Sequence, residues 1–227
     1  MCYIQHIKHL RLQGFIGDSK EHLSLRIYAD ADLGGDRPEF KSTSGAFLCL
    51  VGTHSFFPLS AKVTKQTAVA HSTPEAEIVS ANEAIRRVGI PALDIWEIAL
   101  ERTVPLTLIE DNESTVCIIK SGRNPTMRHL SRTQGINIGW LHDLYKKELF
   151  NVMYSRTEAQ CADVFTKCFK DLPKWEQAYR MIGMRRPGEP PVMPPTPGPR
   201  PPVPEAVAKA KAEAKARAKA RKAGGGW

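Results

Sequence analysis

Four carboxylates carry the chemical interest of this 227-residue chain: Asp30, Glu77, Asp111 and Asp163. Taken singly, each reads as a turn cap or a solvated acid. The pattern is more informative, because each stands at the end of an apolar periodic segment or among small apolar residues. Acids gathered at one edge of a fold repel one another at neutral pH unless divalent cations neutralise them, and hard oxygen ligands select Mg2+ or Mn2+. Two such ions about 4 Å apart suit in-line phosphodiester hydrolysis, one activating water and the other stabilising the leaving oxygen.

The segments around these acids say how they could meet. In LSLRIYADADLGGD, Leu23, Leu25 and Ile27 alternate, which predicts a strand with one buried side that delivers Asp30 before the Gly34–Gly35 break. TSGAFLCLVG and HSFFPLSA follow at hairpin spacing and complete an antiparallel meander, with Pro58 placing the third strand at an edge. The period then turns helical. Ile78, Ala81, Ile85 and Val88 form a stripe, Ser72 and Glu75 fit a capping box, and Pro74 sits in the first turn. That accounts for Glu75 but not for Glu77, whose position beside the stripe is costly unless its charge is paired or binds a cation. Gly89 and Pro91 predict a bent helix or two helices.

VPLTLIED reads as a buried strand ending at Asp111, and the intervening helix allows it to lie parallel to the first strand through a right-handed crossover. Asp30 and Asp111 would then share one end of adjacent strands. A helix over NESTVCIIKSG, a basic stretch with Arg123, Arg128 and Arg132, a helix over INIGWLHDLYKKE and a short strand FNVMYS follow. Thr157 and Gln160 are expected to box a last helix, TEAQCADVFTKCF, which carries Asp163. The expected fold is α/β: a mixed five-stranded sheet, three antiparallel strands and two added parallel, flanked by helices over roughly residues 20–170.

Composition narrows the classes. No apolar run approaches membrane-spanning length and the N-terminus is interrupted by polar residues, so neither a membrane span nor a signal peptide is expected. Five scattered cysteines without a C-x-x-C pair argue for reduced thiols in an intracellular compartment and against a zinc-finger module. Of the formal charge of +8, ten Lys or Arg against three Glu from Arg185 onward supply +7, leaving the rest of the chain nearly neutral. Ile4, Ile7 and Leu10 have helical spacing, too sparse for a helix that folds alone, so residues 1–20 are expected to lean on a neighbour.

YADADLGGD, KSTSG, STPEAE, EDN and QCADVFTK, in that order and spacing, closely resemble the ribonuclease H domain at the C-terminus of copia-type retrotransposon Pol polyproteins. The resemblance runs from about Leu23 to Phe169. It implies a ribonuclease H fold with a D-E-D-D set of ligands for two Mg2+ or Mn2+ ions, matched to Asp30, Glu77, Asp111 and Asp163. It further implies cleavage of the RNA strand of an RNA:DNA hybrid, with a reverse transcriptase domain as partner in the parent polyprotein and a cytoplasmic virus-like particle or the nucleus as the place. Residues 1–20 would end the connection from that polymerase, 21–170 form the domain and 171–186 a helical extension. The chain departs from the family at Leu33, Gly135 and Cys168, where Trp, a nearby His and Pro are usual. YADAD is not the Y-x-D-D of a polymerase, since Ala31 separates Asp30 from Asp32.

Residues 187–227 shift to a proline-rich stretch, expected to be extended, and then to an Ala/Lys/Arg run basic on all sides. This tail is either a solvated appendage or a nonspecific nucleic-acid arm. Arg123, Arg128 and Arg132 are candidate backbone contacts, which a solvated loop explains as well. The reading from another functional class is a noncatalytic transposon remnant that at most binds nucleic acid.

Overall fold

The computed structural model describes Gln5 and residues 7–193. The remainder of the proline-rich stretch and the Ala/Lys/Arg run lie outside the described residues. Along the chain come β1 (Arg11–Leu12), β2 (Ser24–Asp36), β3 (Lys41–Val51), β4 (Phe56–Lys65), α1 (Thr73–Ala84), α2 (Ile90–Leu100), β5 (Leu106–Glu110), α3 (Glu113–Ser121), α4 (Leu130–Thr133), α5 (Ile138–Lys146), β6 (Asn151–Tyr154), α6 (Asp163–Thr166), α7 (Leu172–Met181) and β7 (Met184–Arg185).

The main sheet has the order β4-β3-β2-β5-β6. β2, β3 and β4 form the antiparallel meander, and β5 joins β2 in parallel with Tyr28 opposite Ile109, followed by β6 parallel to β5. This is the mixed sheet expected from the alternating segments, in the ribonuclease H-like order that the resemblance implies. β4 is one edge strand, and its ladder shifts register where Pro58, which has no N–H to donate, faces Cys49.

Both faces of β2 are covered, not one. Leu25, Ile27 and Ala29 point into the larger core with Ile78, Ala81 and Ile85 of the α1 region and Leu108 of β5. On the other face Tyr28 joins Phe47, Phe56, Ile109 and Cys161 in a smaller core, with its ring centroid 6.2 Å from that of Phe47. The alternation of Leu23, Leu25 and Ile27 revealed the first face. The second is closed by the segment around Cys161 and Met181, which the pattern of β2 alone does not announce.

Helices α1 and α2 are joined by a π turn over Ile85–Gly89, where the Ile90 N–H bonds the Ile85 carbonyl. A Cβ at Gly89 would stand 3.0 Å from Leu106 Cδ2, so the glycine also permits close packing on β5. The expected last helix is broken instead. Thr157–Ala159 form a 3-10 turn and only Asp163–Thr166 are α-helical. Gln160 forms no box with Thr157: it is buried, its Oε1 accepts from the Ala162 N–H at 3.4 Å, and its Nε2 donates to the Ala29 carbonyl of β2 at 2.9 Å.

Residues 11–18 pack within the chain. β1 pairs antiparallel with β7, Phe15 bridges Phe56, and the Ser55 hydroxyl accepts from the N–H groups of Gly17 and Asp18. The beginning of the proline-rich stretch also turns back: Glu189 pairs with Arg180 of α7, and Arg185 donates to the Val192 carbonyl.

Candidate metal centre

Asp30 lies near the end of the buried part of β2, is 1% exposed and stands opposite Gly45 of β3. Two contacts set what surrounds it. Ser80, one turn past Glu77 on α1, donates to the Asp30 carbonyl at 2.8 Å, fixing that helix over the strand. On the other side α6 approaches the sheet so closely that a Cβ at Gly45 would be 2.7 Å from Thr166 Cγ2. The missing side chain is thus what admits Asp163, Thr166 and Lys167 to the neighbourhood of Asp30.

The four sequence-predicted acids fall into two overlapping groups. Asp30, Asp111 and Asp163 each offer a carboxylate oxygen within 4.8 Å of the others, and so do Glu77, Glu110 and Asp111. Asp111 is common to both, half-buried just past β5, with its Oδ2 accepting from Thr157 Oγ1 at 2.8 Å. Glu110 did not emerge from the sequence because it reads as an ordinary strand residue beside Asp111. The structure buries it completely on the Glu77 side of the cluster.

A cation also belongs to the cluster. Lys167 Nζ is 2.7 Å from Asp163 Oδ1 and 3.5 Å from Asp30 Oδ1, and Thr166 Oγ1 donates to Asp30 Oδ2. The i,i+4 spacing of Asp163 and Lys167 was the available sequence signal. Arg123, Arg128 and Arg132 are exposed; the first two flank a cleft of about 320 Å³ with Asn124, Met127 and Ile138. None of the three arginines takes the place Lys167 has among the acids.

The electrostatics follow from burial and crowding. Burial pushes Asp163 up to about 7, with Asp30 adding to the rise and Lys167 opposing it. Asp30 is also raised, by burial first and by Asp111 in lesser measure, against the pull of Lys167 and Thr166. Burial, then the neighbouring acids, lifts both Glu77 and Glu110 far above the usual carboxylate range. Burial lowers Lys167, but Asp30 and Asp163 outweigh it and leave the amine raised.

One oxygen each of Glu77 and Glu110 is buried without a hydrogen-bond partner. Such an atom costs about 1–3 kcal/mol, more when charged, unless something fills its lone pairs. An all-oxygen donor set with two unfilled buried oxygens fits a hard divalent cation of the Mg2+ type.

Comparisons with known proteins bear on the family. No family model matches the chain. The Pol polyprotein of transposon RE1 from Arabidopsis thaliana is 30% identical over 146 residues, 64% of this chain and 9% of that protein. The Gag-Pol polyprotein of transposon Ty1-NL2 from Saccharomyces cerevisiae is 31% identical over 149 residues, 66% of this chain and 8% of that protein. The chain thus spans about a tenth of the length of the relatives it matches. Among solved structures, LC11-RNase H1, isolated from compost, superposes with a TM-score of 0.41 at 12% identity, covering 63% of this chain and 92% of that one. By sequence the chain is a homologue of one segment of the retrotransposon Pol polyproteins, and by its strand order it is a ribonuclease H-like domain.

Proposed function

We propose that this domain is the ribonuclease H of a copia-type retrotransposon, hydrolysing the RNA strand of an RNA:DNA hybrid to leave 3'-hydroxyl and 5'-phosphate ends. The observation that carries the reading is the convergence of Asp30, Asp111 and Asp163 in one group and of Glu77, Glu110 and Asp111 in another, sharing Asp111. Two such groups would hold two Mg2+ or Mn2+ ions, which when bound supply the activation of water and the stabilisation of the leaving oxygen.

The chain's own part is positioning. Thr157 orients the carboxylate of the shared Asp111, Ser80 keeps the Glu77 helix against the Asp30 strand, and Thr166 fixes one oxygen of Asp30. Lys167 balances Asp30 and Asp163, placing a cation where a phosphodiester would also bring negative charge. Arg123, Arg128 and Arg132 are proposed to hold the nucleic-acid backbone, since phosphate contacts give register without sequence preference.

Lys167 also favours the second reading. An ammonium 2.7 Å from Asp163 supplies part of the compensation that ions would otherwise provide, as expected of a remnant that keeps its geometry without activity. A labelled RNA:DNA hybrid incubated with the full chain decides between them. Cleavage that requires millimolar Mg2+ or Mn2+ and is lost in Asp30→Asn supports the enzyme, whereas no cleavage by a folded parent at either ion supports the remnant.

A further inference from the structure

Glu75 and Glu77 are two residues apart, so they leave α1 on roughly opposite sides, about 200° around the helix. Glu77 faces the acid cluster; Glu75 belongs to a different donor set. His71, Glu75 and His129 each offer one ligand atom, and the three atoms lie within 4.8 Å of one another. His129 Nε2 is 3.1 Å from Glu75 Oε1, the two imidazole rings meet edge to face with centroids 5.7 Å apart, and the other Glu75 oxygen accepts from the His71 backbone N–H at 3.2 Å.

We propose that His71, Glu75 and His129 form a site for a transition-metal dication of the Zn2+ class, separate from the acid cluster, that pins the arginine-bearing loop to the start of α1. Two imidazoles and one carboxylate suit Zn2+, Co2+ or Ni2+, whereas the all-oxygen acid cluster suits harder ions. Ligands about 2.0–2.1 Å from a tetrahedral Zn2+ are roughly 3.3 Å from each other, so donors already within 4.8 Å close by small side-chain rotations. His71 is exposed and His129 half-buried, so both can make that adjustment while the buried Glu75 stays fixed.

Charge points the same way. Glu75 is 3% exposed, and among the described residues its ion-pair partner is an imidazole, not a lysine or arginine. A bound dication compensates a buried carboxylate more fully than an imidazole does. The loop is already tied at a second point, where Gln134 Oε1 accepts from Thr67 Oγ1 at 2.9 Å and Gln134 Nε2 donates to the Ala68 carbonyl at 2.8 Å. The metal would add a clamp between these two stretches, on the strand-to-helix side at His71 and on the loop side at His129, directly beside Arg128.

The full chain, stripped by chelation and dialysed, is titrated with Co2+ alone and followed by visible absorption. The expected result is a one-equivalent band typical of low-coordinate nitrogen and oxygen ligation, displaced by Zn2+, with Zn2+ raising the melting temperature. His71→Ala and His129→Ala should each weaken Co2+ binding by roughly tenfold or more, while Asp30→Asn leaves it unchanged. His71 is exposed, so His71→Ala retains its fold, and circular dichroism of both variants verifies it. The proposal is overturned if folded His71→Ala and His129→Ala bind Co2+ as tightly as the parent, if Asp30→Asn removes the band, or if the spectrum is dominated by thiolate charge transfer.

Discussion

Lys167 Nζ lies 2.7 Å from Asp163 Oδ1, one helical turn away, with the carboxylate 9% and the lysine side chain 38% exposed. The amine offsets a charge that burial alone would suppress, so the two groups set how the cluster behaves before any divalent ion arrives. Lys167→Met should therefore lower the melting temperature of the chelated protein at pH 8. Removing a fixed competitor for the same oxygens should tighten Mg2+ binding several-fold, measured by calorimetry. Unchanged Mg2+ affinity would show that the ion and the amine do not share a place.

The pH dependence of the chelated protein should run opposite to the usual one for acids. Asp163 has a folded value of about 7 against an ordinary 3.8, and Asp30, Glu77 and Glu110 are raised as well. Between those values the native state holds more protons than the unfolded one, so stability falls as pH rises from about 4 through 7. Thermal melts with EDTA should give a higher melting temperature at pH 5.5 than at pH 8, and millimolar Mg2+ should restore the loss at pH 8.

Asp30→Asn removes one charge from the crowded group while keeping the shape of the side chain. Divalent-dependent cleavage should fall by roughly 10²-fold or more. Hybrid binding should persist, because phosphate contacts come from basic and backbone groups. The chelated variant should be as stable as the parent or slightly more so. A clearly destabilised variant would mark Asp30 as a structural cap.

Gly45→Val tests the approach of α6 to the sheet. Its Cβ would press on Thr166 Cγ2, Phe165 Cβ and the Ala162 carbonyl, at 2.7, 3.3 and 3.4 Å. Overpacking of this kind costs about 1–3 kcal/mol. The first thing displaced should be the segment carrying Asp163 and Lys167, so cleavage and Mg2+ binding should be lost in a protein that still melts cooperatively.

Removing residues 194–227 should weaken hybrid binding and flatten its salt dependence, since most of the net positive charge is there. The melting temperature should barely move. Residues 187–193 must be kept, because Glu189 and Val192 are bonded to Arg180 and Arg185.

Much of this was legible because the strands obey a simple period. Leu25 and Ile27 fix the phase of β2 and so set Asp30 on its other face near the end of the strand, and VPLTLIED places Asp111 just past the end of β5. The helix period of α1 put Glu77 against the sheet. What escaped was set by tertiary contacts. Glu110 is a site neighbour only because the fold brings Glu77 of α1 and the end of β5 together, and Gln160 sends its Nε2 to a carbonyl 131 residues away. The lean of residues 11–18 on Ser55 and on β7 likewise has no local signature, since a two-residue strand carries no period.

The pairing of β1 with β7 has a consequence for anything joined to the domain. Arg11 stands opposite Arg185 in an antiparallel register, so the chain arriving at Arg11 and the chain departing from Arg185 run side by side. A binding element carried beyond β7 is then tethered close to whatever is carried ahead of β1, at an effective concentration on the order of millimolar. Two weak grips on one nucleic acid, one from each side of that junction, would combine as avidity without either having to be strong.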